Sequence, residues 1–147
     1  MTVVVDTSIL IDHLRGDARA HRLLDGAFSQ GERVTASVVT KVEVLAGMHQ
    51  GEEAATRRLL SILEWVPVDD GLAEAAGELA RQHLRSHSGV DPVDFIIAAT
   101  VDLLGAKLWT RNRKHFPMFP DLPAVYERSR PARGGRSGLL ALLPRRT

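Results

Sequence analysis

The chain has 147 residues, of which 44% are hydrophobic and 25% charged, and it contains no cysteine. That length and balance fit one globular domain and exclude wholesale disorder. The missing cysteines exclude disulfides, thiolate zinc sites and cysteine nucleophiles together, and agree with a reducing, cytoplasmic setting. The net charge of +1 conceals an asymmetry. Residues 1–126 carry 13 Lys+Arg against 17 Asp+Glu, whereas residues 127–147 carry six Arg and one Glu. A mildly acidic body is not the footprint of a pure nucleic-acid binder. It suits a site that gathers carboxylates around metal ions. The opening residues lack the basic start and apolar length of a secretory leader. No run reaches the about 20 apolar residues of a spanning helix, so a soluble, unexported protein with no membrane association is expected.

In chain order, Val3-Val4-Val5 is a wholly apolar β-branched run that predicts a strand buried on both faces, as in a parallel sheet. Asp6-Thr7-Ser8 is helix-start chemistry, and Ile9, Leu10, Ile11 and Leu14 then pack a short helix stopped near Gly16. Residues 18–28 read as a second helix and residues 33–36 as a second strand. Ser37 caps a third helix through Val38, Val42, Val44 and Met48, ended by Gly47 or Gly51. Residues 52–63 are amphipathic, residues 64–68 form a brief strand, and residues 70–86 fit a long helix. After a break at Ser88-Gly89, Asp91 and Pro92 open a strongly apolar helix through Leu104, which Gly105 ends. Residues 107–110 form a strand, residues 111–116 a loop or single turn, and Val125-Tyr126 a last edge strand. Strands interleaved with helices imply an α/β fold with a mostly parallel sheet. The Arg-, Gly-, Pro- and Ser-rich residues 128–147 read as a poorly ordered tail with a turn near residues 139–143.

In parallel α/β folds, ligands bind beyond the carboxyl ends of the strands. Asp6 follows the first strand. Glu43 lies about one and a half turns into the helix after the second. Asp94 sits in the first turn of the helix that feeds the last strand, and Thr110, Arg111 and Asn112 follow that strand. Each acid sits badly by local rules: Asp6 ends an apolar strand, Glu43 is flanked by Val42, Val44 and Leu45, and Asp94 precedes Phe95-Ile96-Ile97. Three carboxylates buried together repel and raise one another's pKa values, a conflict that a hard cation such as Mg²⁺ or Mn²⁺ removes. Blander assignments stand beside this one. Asp6 fits a helix N-cap, Asp91 and Asp94 have capping-box spacing, Glu43 has Lys41 and Arg33 as surface partners within reach, and Arg111, Arg113 and Lys114 fit a solvated basic turn. The six histidines show no metal-binding spacing, and neither Ser8 nor Thr110 has a nucleophile's context. The strongest feature is the coincidence of acids from distant segments on one edge.

These residues carry a resemblance. The opening VVVDTSILIDHLRGD, the stretch TASVVTKVEVLAGMHQG containing Glu43, and GVDPVDFIIAATVDLLGAKLWTRNRKHF containing Asp94 resemble, in order, the motifs of PIN-domain ribonucleases, specifically VapC-type toxins of bacterial toxin–antitoxin pairs. The spacings are 37 residues from Asp6 to Glu43 and 51 from Glu43 to Asp94. The resemblance covers residues 3–126, with a PIN domain at residues 1–127 and the tail outside it. It implies a three-layer α/β/α domain around a central, mostly parallel sheet of four to five strands. It implies an endoribonuclease dependent on Mg²⁺ or Mn²⁺, the ion held by Asp6 and Asp94 with Glu43 acting through water, and water activated by the metal cleaving RNA phosphodiesters. Ser8 would support Asp6 by hydrogen bonding. The implied partners are an RNA substrate, a small cognate antitoxin and a second copy of the chain in a homodimer. Arg111, Arg113 and Lys114 are candidates for holding the RNA backbone. One departure stands out: many relatives have an acid where this chain has His115, so Asn112 and Asp91 become candidates for the missing oxygen ligand, and His115 for a phosphate contact. That departure is also the best support for a second reading, a catalytically impaired PIN-like RNA- or protein-binding module. An aspartyl-nucleophile phosphatase is disfavoured because position 8 is Ser rather than Asp.

Overall fold

A computed structural model describes residues 1–84, 86 and 89–126. The tail from residue 128, with its expected turn near residues 139–143, lies outside the described residues. Four strands and six α-helices alternate: β1 (Thr2–Val5), α1 (Thr7–Leu14), α2 (Ala18–Ser29), β2 (Arg33–Ser37), α3 (Val38–Ala46), α4 (Glu53–Ile62), β3 (Glu64–Val66), α5 (Asp70–His83), α6 (Pro92–Leu104) and β4 (Lys107–Trp109), followed by a 3₁₀ turn at Arg113–His115. The sheet runs β3-β2-β1-β4, and all three pairings are parallel. Every described strand therefore delivers its carboxyl end to the same edge.

The period-two geometry of β1 explains the layers. Val3 and Val5 pack into one core with Ile9 and Leu10 of α1, Leu24 and Ala27 of α2, and Leu59 and Leu60 of α4. Val4, between them, faces the opposite core with Ile97, Ala98 and Val101 of α6 and with Phe116. α5 packs on the outer side of α6 through Leu72, Ala76, Phe95 and Ala99. All three valines are fully buried, as a central parallel strand with helices on both faces requires. The sheet with helices on either side is the three-layer α/β/α arrangement expected. No helix among the described residues is long and apolar enough to cross a membrane.

The ends of the elements follow local chemistry. Asp6, Asp17, Ser37, Asp69 and Asp91 each cap a helix by accepting a backbone N–H. Gly105 ends α6 in the left-handed region at φ 57°, with no atom close enough to obstruct a Cβ. Gly105→Ala is therefore expected to cost about 1 kcal/mol through backbone strain alone, a small drop in denaturant midpoint with unchanged m-value.

Three expectations need correction. Val125 and Tyr126 are not a strand: residues 117–126 are turns, bends and irregular chain, and among the described residues β4 pairs only with β1. Pro117, Pro120 and Pro123 remove ladder donors from the approach, and Tyr126 turns its hydroxyl to Asp12 instead. The strand expected at residues 64–68 stops at Val66, because Pro67 cannot extend the pairing. The long helix expected to residue 86 ends at His83.

Candidate metal and RNA site

Asp6 is placed twice over. Its backbone N–H donates to the Trp109 carbonyl at 2.9 Å, continuing the β1–β4 ladder by one step. Its side chain caps α1: Oδ1 accepts the Thr7 N–H at 2.8 Å, while Oδ2 accepts the Ser8 hydroxyl at 3.1 Å and the Thr110 hydroxyl at 2.7 Å. Asp6 is thus the N-cap of α1, and capping does not preclude a part in the site. Thr110 is itself fixed because its oxygen accepts the Asn112 N–H at 3.0 Å, and the Ser8 oxygen accepts the Arg111 N–H at 3.0 Å. The turn after β4 is thus tied to the start of α1 through two hydroxyls.

Thr7, which sequence reasoning passed over, joins the second acid to the first. Its N–H serves Asp6, and its hydroxyl donates to Glu43 Oε1 at 2.7 Å. The alternative partners of Glu43 are engaged elsewhere: Arg33 pairs with Glu64 at 2.7 Å, and Lys41 lies 4.4 Å from the centre of the Trp65 ring. The expectation that all three acids are buried is corrected here. Asp6 and Asp94 are buried, but Glu43 is exposed, because its apolar neighbours do not all turn inward and Val42 stands out into solvent.

Asp94 stands at the third position of the α6 capping box. Its Oδ2 accepts the Asp91 N–H at 3.3 Å, and Asp91 Oδ1 accepts the Val93 N–H at 2.9 Å. Asp91 is therefore placed as an exposed cap. His115 Nδ1 lies 3.4 Å from Asp94 Oδ2, so this histidine does reach the cluster. Burial pushes the Asp94 carboxyl up to about 6; the Asp6 and Asp91 charges add to this, while the Asp91 N–H and His115 oppose it. Two buried carboxylates close enough to perturb each other lie at the sheet edge, with an exposed third tethered beside them.

Does this donor set fit a metal? All its ligating atoms are oxygens of the hard kind that Mg²⁺ and Mn²⁺ select, and the raised Asp94 value reflects chiefly the cost of burying its charge, with a smaller share from the Asp6 and Asp91 charges, a cost that a bound cation offsets. Among the described residues, no three His, Asp, Glu or Cys side chains enclose an ion by themselves. The fit is therefore to an ion that keeps several waters and takes one or two carboxylates, which is the habit of Mg²⁺.

Beside the acids opens a cleft of about 640 Å³, lined by Thr110, Arg111, Asn112, Arg113, Lys114 and His115 together with Arg19 and Tyr126. Arg111 Nη1 donates to Asp12 Oδ1 at 2.6 Å, and Arg113 reaches the Leu122 carbonyl only at 3.4 Å. Asp12, Arg19 and Tyr126 were not signalled as site residues by the sequence. Asp12 alone had a readable sign, an acid set in the apolar run Ile9-Leu10-Ile11.

A family model described as PIN domain matches residues 3–120. The chain is 43% identical over 123 residues to "Ribonuclease VapC19" of Mycobacterium tuberculosis, covering 84% of this chain and 98% of that protein. It is 38% identical over 120 residues to "Ribonuclease VapC10" of the same organism, covering 82% and 90%. A toxin–antitoxin complex from Klebsiella pneumoniae superposes with a TM-score of 0.71 at 29% identity, over 85% of this chain and 98% of that one. A DNA-bound VapBC complex from Salmonella typhimurium gives 0.67 at 22% identity over 84% and 94%, a likeness of fold alone.

Proposed function

Because the chain belongs to the PIN-domain family, and within it to the VapC ribonucleases, we propose that it is a divalent-metal-dependent endoribonuclease, the toxin of a toxin–antitoxin pair. The observation that carries this reading is the meeting of Asp6, Glu43 and Asp94, from three distant segments, at the carboxyl edge of the sheet. Asp6 and Asp94 would hold the ion, with Glu43 acting through water. The chemistry that the ion supplies when bound is activation of water and neutralisation of charge on the phosphodiester. The chain's own residues do the positioning. Thr7, Ser8 and Thr110 fix the Asp6 carboxylate with three donors and leave its lone pairs directed. Arg111, Arg113 and Lys114 present cations to the RNA backbone from the turn after β4. His115 Nδ1 and the capping Asp91 N–H both approach Asp94 Oδ2.

The family resemblance and the solved toxin–antitoxin complex support a small antitoxin as partner, and the family resemblance alone supports a homodimer. Cleavage of a labelled single-stranded RNA by the purified protein, with Mn²⁺ and again with excess EDTA, tests the activity. Cleavage in Mn²⁺ only is expected. RNA binding without cleavage in either condition would favour the impaired module that His115 suggests. Thr110→Val keeps shape and removes the 2.7 Å bond to Asp6. It is expected to lower kcat/KM by roughly 10–100-fold, the usual effect of losing an outer-shell partner, with melting little changed.

A further inference from the structure

Asp12 is the buried acid for which the proposed chemistry has no use. It is 6% exposed, on α1, and both of its oxygens are taken. Oδ1 accepts Arg111 Nη1 at 2.6 Å, and Oδ2 accepts the Tyr126 hydroxyl. Both partners line the basic cleft, and the Arg19 guanidinium lies 4.5 Å from the centre of the Tyr126 ring. The Arg111 side chain remains 53% exposed beyond its contact with Asp12. It therefore keeps N–H groups of its rigid donor fork for a ligand. None of the residues lining the cleft is acidic, and four are Arg or Lys. Thr110 and His115 line the same cleft and touch Asp6 and Asp94 respectively. The cleft is thus continuous with the acid cluster and of opposite sign.

We propose that this cleft is a phosphate-binding subsite for the single-stranded RNA flanking the cleaved bond, with Asp12 as the positioning residue that holds Arg111 and Tyr126 in place for it. The inference rests on the ribonuclease reading for the identity of the strand. A carboxylate placed beside an anion site opposes binding unless it orients a cation, and here it orients one while also accepting a hydrogen bond from the Tyr126 hydroxyl. Burial and the hydrogen bond to Asp12 hold that phenol well above its ordinary pKa, so it remains a donor. Fixing Arg111 before the ligand arrives reduces the ordering cost of binding. The neighbouring aromatic ring and cations are the ingredients of a single-strand track.

The test uses the full chain in EDTA and a short fluorescein-labelled single-stranded RNA, followed by anisotropy against salt concentration. Wild type is expected to bind. Asp12→Asn and Tyr126→Phe are each expected to bind roughly 3–10-fold more weakly. Arg111→Gln is expected to lower the salt slope by about 0.7, the value for one single-strand phosphate contact. Arg57→Gln, on the exposed face of α4, should match wild type. In metal-supported cleavage, Tyr126→Phe should raise KM and leave kcat within about twofold, a split that a merely structural role does not produce. Tyr126→Phe retains the ring, so it decides the matter should Asp12→Asn fail to fold. Wild-type binding by a folded Tyr126→Phe, or no RNA binding by wild type, overturns the subsite. The activity reading is judged separately: cleavage that persists with unweakened variants sinks the subsite alone, and weakened binding without any metal-dependent cleavage sinks the activity alone.

Discussion

Asp6→Asn is expected to bring metal-dependent RNA cleavage down to background while leaving the protein folded. The substitution keeps the shape of the side chain and removes its charge. Asparagine is as good an N-cap as aspartate, so the 2.8 Å bond from the Thr7 N–H persists. The Ser8 and Thr110 hydroxyls, which donate to Oδ2, can turn to accept from the amide instead. What is lost is half of the buried negative charge that attracts the ion. The melting temperature of the variant should stay within a few degrees of wild type under metal-free conditions, and cleavage in Mn²⁺ should match that in EDTA. Undiminished cleavage by a folded variant would remove Asp6 from the site.

The second large effect is on stability. Asp94 titrates at about 6 in the folded protein, chiefly because it is buried, against about 4 in an unfolded chain. Between those values the native state holds a proton that the unfolded chain has released. Stability therefore falls as pH rises through that window. The wild type should accordingly lose melting temperature relative to Asp94→Asn between about pH 4 and pH 6 without metal. Mn²⁺ should reverse that loss. At about 100 times its dissociation constant, an ion that binds only the folded state contributes about 2.7 kcal/mol, a rise of roughly 8–15 °C for a domain of this size. The rise should shrink near pH 5, where protons compete for the carboxylate, and vanish in Asp94→Asn. An unchanged melting temperature on adding Mn²⁺ at pH 7 would show that these carboxylates do not hold the ion.

The order of strands and helices, their caps and the one-edge convergence of the acids were legible because each depends on local signals. Val3-Val4-Val5 can hardly be an exposed strand, Asp91-Pro92 opens a helix by its own chemistry, and Asp94 is conspicuous before an apolar run. Residues whose partners are remote were not legible. Asp12 answers to Arg111, 99 positions on, and to Tyr126, 114 positions on, and no periodicity links such positions. Thr7 looked like part of a helix start, and only the placement of α3 beside α1 gives its hydroxyl a use at Glu43. The exposure of Glu43 misled for a related reason: apolar neighbours suggested burial, yet Val42 beside it is 67% exposed. Val125 and Tyr126 had the composition of a strand, but three prolines and a hydrogen bond to Asp12 outweighed it.

The central claim is that buried carboxylates at one sheet edge cut RNA, and mapping newly formed RNA ends after induced expression tests it most directly. Wild type should generate a defined set of new ends in total RNA, and Asp94→Ala, made to the same level, should generate none of them. The same ends appearing with Asp94→Ala, or no new ends with wild type, would contradict the account.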